Sequence, residues 1–351
     1  MSHEEAGMLA AGPRRVLGLG EGSVGVTSLP LGIVPNLILN GRDVLVPYAT
    51  EEASVVAGAS RVALLLREHG GVTAGGGERL LGAQILVEGG DPDAWIEARG
   101  EELRRRIQAG HPSLAAAGGG LRRLVVSRGA AGAVIRLEAG VGDAQGAHAL
   151  DRMAEEVARA WVDEVPGARA LAAIVTNWPI GACAWAKASL PLEALARRTI
   201  PGDRVGRDIE RLSRWAETDP IRRVTHLKGA MNGILGVMAA FQQDLRAISS
   251  SVHAGVWGGL PGIRGPAWRI EGGRLHGTVA LPVPCGVVGR GQDDPVLGLL
   301  RRLAGVRRGT DLEALAVAAG LVQNLAALQV IVTEGIVEGH GRLHASREAG
   351  P

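Results

Sequence analysis

Beginning near Gly82, about a hundred residues alternate between two hydrophobic periods, and this alternation restricts the fold more than any other feature of the chain. GAQILVEG has the spacing of a strand, DAWIEARGEELRRRIQAG that of a helix, and AAAGGG is a loop. Two further strands (LRRLVVSRG and GAVIRLEAGVG), a helix (HALDRMAEEVARAWVDEV) and a closing strand (ARALAAIVTN) complete the run. Strands and helices in that order predict a compact α/β unit. We place it at 81–179, inserted between two stretches, 1–80 and 180–351, that form one larger domain.

The flanks read differently. VTSLPLGIVPNLILNGRDVLVPYAT predicts short strands broken by Pro and by an Asn-Gly turn. EEASVVAGASRVALLLREHGG predicts a buried helix that opens with acids at the positive end of its dipole and stops at Gly70-Gly71. Downstream, LPLEALARRT, GDRVGRDIERLSRWAE and HLKGAMNGILGVMAAF read as helices, RIEGGRLHGTVALPVP as a hairpin, and DLEALAVAAGLVQNLAALQVIVTEGIVEGH as a long apolar helical stretch. The chain holds one Phe (Phe241) and one Tyr (Tyr48), so its core is built from Leu, Val, Ile and Ala, with seven Trp for aromatic bulk.

Composition excludes several functions. Lys+Arg 38 against Asp+Glu 36 is too balanced to signal a nucleic-acid surface. The opening MSHEEAGMLAAGPRR lacks the pattern of a secretory leader, and no window approaches the roughly 18 uninterrupted apolar residues of a membrane span, so a cytoplasmic protein without membrane or nucleic-acid partners is expected. Cys183 and Cys285 show neither metal-ligand spacing nor a disulfide framework and read as buried thiols.

Two glycine runs, GVTAGGGERL and AAAGGGLRR, match neither the Rossmann nor the P-loop spacing and read as loops. In VGDAQGAHALDRMAEE a strand ends at Gly142-Asp143 and a helix follows whose amino end could accept an anion. In THLKGAMNG a lone Lys228 sits in apolar surroundings and needs a carboxylate or a chemical task. Asp244 is the nearest acid downstream; the two mark the ends of one buried helix or meet across a turn. Near the carboxy end, His340 stands between glycines. Each cluster alone fits a structural ion pair or a surface histidine.

Their combination does not. With LPLGIVPNLILNGRDVLVPYATEEASVVAGAS, GDAQGAH, TNWPIGACAWA, DPIRRVTHLKGAMNG, QQDLRA, LPVPCGVVGR, GLVQNLAAL and TEGIVEGHGRLHA in this order, the chain resembles class II hydroxymethylglutaryl-CoA reductase from about Gly20 to Ala345. The resemblance implies an α+β fold: a large mixed helix and strand domain for the CoA substrate, and an inserted small ferredoxin-like domain for the cofactor. It implies reduction of the thioester of hydroxymethylglutaryl-CoA to mevalonate and free CoA by two hydride transfers. The partners implied are those small molecules, NADPH or NADH, and a second copy in a homodimer or larger homo-oligomer. EGSVG, residues 21–25, resembles the family's ENVIG segment near that interface.

By the same resemblance Glu52 donates a proton to the substrate oxygen, Lys228 stabilises the oxyanion, Asp244 holds the pair and His340 protonates the departing thiolate. Ser54 and Arg222 contact the substrate carboxylate, with Asn177 and Asn232 beside them. Asp143, Ala144, Gln145, Gly146 and His148 form the cofactor loop.

Three departures stand out. The loop reads DAQGAH where the family has DAMGAN. His111 stands where NADH-using members carry an acid for the adenosine ribose, which favours NADPH. The sequence stops soon after His340, where the family continues into a helical flap, and a short tail would leave the site wetter. A relative that had lost turnover would be a CoA-ester binding protein, but all four catalytic side-chain types are present in register.

Overall fold

In the computed structural model the described residues are 28–335, except 182 and 290. They form two sheets, each with its own buried apolar cluster.

The first sheet starts with a hairpin, β1 (Leu31–Leu39) and β2 (Arg42–Ala49). Its Asn40-Gly41 turn has φ of 52° and 75°, the left-handed pair that a two-residue hairpin turn requires. The Asn40 amide also bonds both ways to the Ala74 backbone, which fixes the hairpin beside β3 (Val72–Gly75). Helix α1 (Ala53–Arg67) lies between them in sequence. β8 (Ala184–Pro191), β9 (Arg264–Glu271) and β10 (Arg274–Leu281) complete a six-stranded sheet of order β2-β1-β3-β8-β10-β9.

Between β3 and β8 the chain builds the second sheet: β4 (Leu80–Glu88), α2 (Pro92–Gly110), the short α3 (Pro112–Ala116), β5 (Gly120–Gly129), β6 (Gly132–Gly140), α4 (Ala147–Glu164) and β7 (Arg169–Ile180). Its strand order is β5-β6-β4-β7, every pair antiparallel. This is the β-α-β-β-α-β arrangement of ferredoxin-like folds. The apolar stripe of α4, with Leu150, Met153, Val157 and Trp161, is buried against this sheet.

Three more helices pack on the first sheet, α5 (Gly202–Thr218), α6 (Pro220–Ala240) and α9 (Gly309–Thr333), with α8 (Pro295–Ala304) beside β2, while α7 (Leu245–Trp257) lies mainly against β7 of the second sheet. Asp219 ends α5 and begins α6, its carboxylate accepting from the Ile221 and Arg222 amides. Helix α9 is long and apolar enough to cross a membrane, yet 78% of its most apolar window is buried against its own chain. Gly233 of α6 lies against the Ala319 carbonyl of α9, where no Cβ fits, so the two helices touch through backbone. Asn324 completes the seam by donating to the His226 carbonyl and accepting from the Trp268 indole.

Two expectations need correction. LPLEALARRT is not a helix: β8 runs to Pro191, a single 3₁₀ turn covers Leu192–Leu195, and Arg198 then adopts φ 52°. Pro191 cannot continue a helix from Leu190, and its carbonyl side is already committed to the sheet. Helices α7 and α8 were hidden in sequence, α7 by Ser249-Ser250-Ser251, which weakens its helical signature.

Asn324→Ala would strand a buried indole N–H and a buried carbonyl. It should lower unfolding free energy by about 2–4 kcal/mol in urea titration, with the fold otherwise retained.

Candidate active site

A cleft opens where the two sheets meet. Asn177 near the end of β7, Gln145 of the loop before α4, and Asp244 at the head of α7 all line it. Three segments distant in sequence therefore bring three expected site residues to one wall.

Asp244 is set by helix capping. Its Oδ1 accepts from the Arg246 and Ala247 amides, and Arg246 also pairs with it at 3.4 Å. Burial alone would raise this carboxyl, but the Ala247 amide and the Arg246 guanidinium outweigh it and hold it below the usual carboxylate range. Asp244 is thus an anion, half open to the cleft.

The loop 143–146 is fastened from several sides. Asp143 accepts from the Gly309 amide at the start of α9 (2.7 Å), and its carbonyl accepts from Val287 and Val288. Gln145 donates to Gln243 (3.0 Å), whose amide also exchanges bonds with both backbone groups of Gly286. The departure from DAMGAN thereby acquires a partner: an amide at 145 meets an amide at 243, next to Asp244. Gly146 has φ 82° and stands against Val141 where a side chain cannot fit, and no side chain caps the first amides of α4. His148 is exposed on the first turn of α4.

Glu52 is the N-cap of α1, accepting from the Ser54 amide at 3.1 Å, so both lie on one turn. Lys228 is exposed on α6, and Asn232 follows one turn later on the same face. Arg222 lies over the Trp215 ring at 5.7 Å. His111 is 7% exposed, with Nε2 3.1 Å from the Glu156 carboxylate of α4. His340 and residues 21–25 lie outside the described residues.

Among the described residues, Lys228 and Asp244 lie apart within one chain. Lys228 lies twelve residues before the end of α6, about 18 Å along its axis at 1.5 Å per residue, and Asp244 lies beyond that end. Neither arrangement open from sequence is met: Lys228 stands midway along α6, and Asp244 caps the next helix, α7.

Comparison with known proteins accounts for this constellation. The profile of hydroxymethylglutaryl-coenzyme A reductase matches residues 12–345. The chain belongs to this family. A 3-hydroxy-3-methylglutaryl-coenzyme A reductase of Archaeoglobus fulgidus is 34% identical, over 93% of this chain and 75% of that protein. A structure of the class II reductase of Streptococcus pneumoniae bound to NADPH superposes with TM-score 0.84 at 29% identity, covering 95% of this chain and 94% of that one. A second structure of the S. pneumoniae reductase gives 0.86 at 30% identity, covering 100% and 87%.

Within this member of the reductase family, sequence reading passed over Gln243, Arg79 and Glu313. Gln243 was available as the neighbour of Asp244, whereas Glu313 stands two residues from Asp311 at the head of an apolar helix and carried no separate signal. Gln243→Leu should cost about 2–3 kcal/mol of unfolding free energy because it leaves buried backbone groups unpaired, whereas Gln145→Leu, losing one bond, should cost about 1 kcal/mol.

Proposed function

We propose that the protein reduces hydroxymethylglutaryl-CoA to mevalonate and CoA with NADPH or NADH as hydride source. The observation that carries this reading is the convergence of Asp244, Asn177 and the 143–146 loop on one cleft in a chain that matches the reductase family nearly end to end. Residues 81–179 serve as the cofactor domain in this reading, and the rest of the chain binds the CoA ester.

The loop suits a dinucleotide. The uncapped amides of α4 beyond Gly146 offer donors and a positive dipole end to a pyrophosphate, at the edge of the cleft. Gln145 and Asp143 hold that loop in place, and His148 stands beside it. Bound there, a reduced nicotinamide would supply one hydride, so two equivalents in turn would be needed to take thioester to aldehyde and aldehyde to alcohol.

Each transfer leaves negative charge on oxygen. A preorganised Lys228 ammonium stabilises that charge by several kcal/mol in a water-poor site. Glu52 delivers the proton, and anionic Asp244 keeps the lysine charged and aimed. His340 protonates the CoA thiolate, a task that suits a group titrating near neutrality. Arg222 and Ser54 take the substrate carboxylate, for which a guanidinium fork is apt.

The separation of Lys228 from Asp244 supports a homodimer in which Lys228 of one copy faces Asp244 of the other. The exposed face of α6 suits such a contact: Ile221 is 82% and Val224 49% exposed, at helical spacing from Lys228. A wild-type preparation that oxidises NADPH in the presence of hydroxymethylglutaryl-CoA, with mevalonate as product, tests the activity.

Lys228→Ala should abolish reduction of both thioester and mevaldehyde, while His340→Ala should spare mevaldehyde. Equal loss in both assays removes the role given to His340. Mixing Lys228→Ala with Asp244→Asn subunits should restore about a quarter of wild-type activity, one intact site in half of the dimers. No recovery would mean that both groups come from one copy.

A further inference from the structure

One buried ion pair in the cleft has no part in the chemistry above. Arg79 lies where the chain crosses from β3 to β4, its side chain only 6% exposed. Its Nη2 donates to the Ala144 carbonyl of the cofactor loop at 3.0 Å and to the Cys285 carbonyl after β10. Its Nη1 is 3.5 Å from Glu313 Oε1, on the first turns of α9. Glu313 is as deeply buried, and its Oε2 accepts from the Gly77 amide at 3.2 Å. Gly309 leaves the room: any Cβ there would occupy the position of the Arg79 guanidinium. Four segments thus meet on one cation.

We propose that Arg79 and Glu313 are positioning residues for the cofactor loop, fastening Ala144 to the core and so setting how tightly the nicotinamide cofactor is held as pH changes. The proposal rests on the reading of loop 143–148 as the cofactor site. Neither residue touches the reacting atoms; each acts through the loop.

The pair is balanced to titrate. Burial pushes the Glu313 carboxyl up to about 7, against the opposing pull of Arg79 and the Gly77 amide, with Asp143 adding repulsion. The groups that face Glu313 are Arg79 from the crossing, Asp143 from the loop after β6, and the thiols of Cys285 and Cys183, both pushed up by burial. Above neutrality ionised Glu313 anchors Arg79. Below it the acid is neutral, and Arg79 keeps only its carbonyl contacts.

Global stability moves the other way. The folded carboxyl retains its proton between the ordinary 4.5 and about 7, where the unfolded chain has lost it, so this group's contribution to stability declines as pH rises through that window. A merely structural ion pair would tighten loop and fold together; this one tightens the loop while the fold loosens.

The test measures NADPH dissociation by tryptophan fluorescence and, on ligand-free protein, hydrogen exchange of the 143–146, Val287 and Val288 amides, corrected for intrinsic rate, at about pH 6 and about pH 8. In wild type the dissociation constant should rise about tenfold at the lower pH, and these amides should exchange faster. Glu313→Gln should show the weak value and fast exchange at both pH values, with kcat at saturating NADPH within about twofold. Glu313→Asp should recover part of the pH dependence. His148→Asn as background removes the imidazole that stands beside the loop.

The double variant Arg79→Leu/Glu313→Leu guards against misfolding, since apolar replacement of a whole buried pair is usually tolerated. It should fold, exchange fast and bind weakly. Wild-type affinity and exchange in Glu313→Gln would overturn the proposal, as would a fall in kcat with affinity unchanged. If wild type binds no NADPH, the cofactor reading fails instead, and the exchange data alone decide whether the pair fastens the loop.

Discussion

Close approach of α6 to α9 is the constraint on which the rest of the molecule depends. The two helices meet at Gly229, Gly233 and Gly320, which face Asn324, the Ala319 carbonyl and the Ile234 side chain across the seam, so they sit closer than helices carrying larger residues there could. Asn324 then reaches the His226 carbonyl and the Trp268 indole. From that seam α9 extends both ways. Its amino end supplies the Gly309 amide to Asp143 and the Glu313 carboxylate to Arg79, and Glu334 at its carboxy end pairs with Arg197. One buried helix therefore fixes the core and the junction of the two sheets.

Strand and helix order over 80–180 was legible because each element there carries a clear period and is bounded by glycine. Asp244 and the 143–148 loop could be named only through family likeness; no local pattern shows that a cap residue of α7 and a loop before α4 share a wall. The Arg79–Glu313 pair was not legible, since its members are 234 positions apart and each alone resembles ordinary surface charge. LPLEALARRT misled because its Leu and Ala spacing imitates a helix while Pro191 commits it to a strand end.

The same geometry explains why electrostatics at the cleft is mixed rather than of one sign. Asp244 is held ionised by amides and an arginine, whereas Glu313, with more burial and fewer donors, is pushed toward neutrality. Two carboxyls lining one cleft are thus pushed in opposite directions, a separation set first by burial and then by hydrogen-bond supply rather than by residue type.

β3 and β8 are hydrogen-bonded neighbours, Gly75 opposite Trp185, and the whole second sheet lies in the connection between them. Seen as a hairpin, they need only a short turn. Excising the intervening segment and closing the gap would leave the six-stranded sheet unbroken, and splicing a different unit between the same two residues would bring it to the same wall. The architecture is accordingly modular at this seam: the six-stranded sheet can be kept while the four-stranded unit is exchanged.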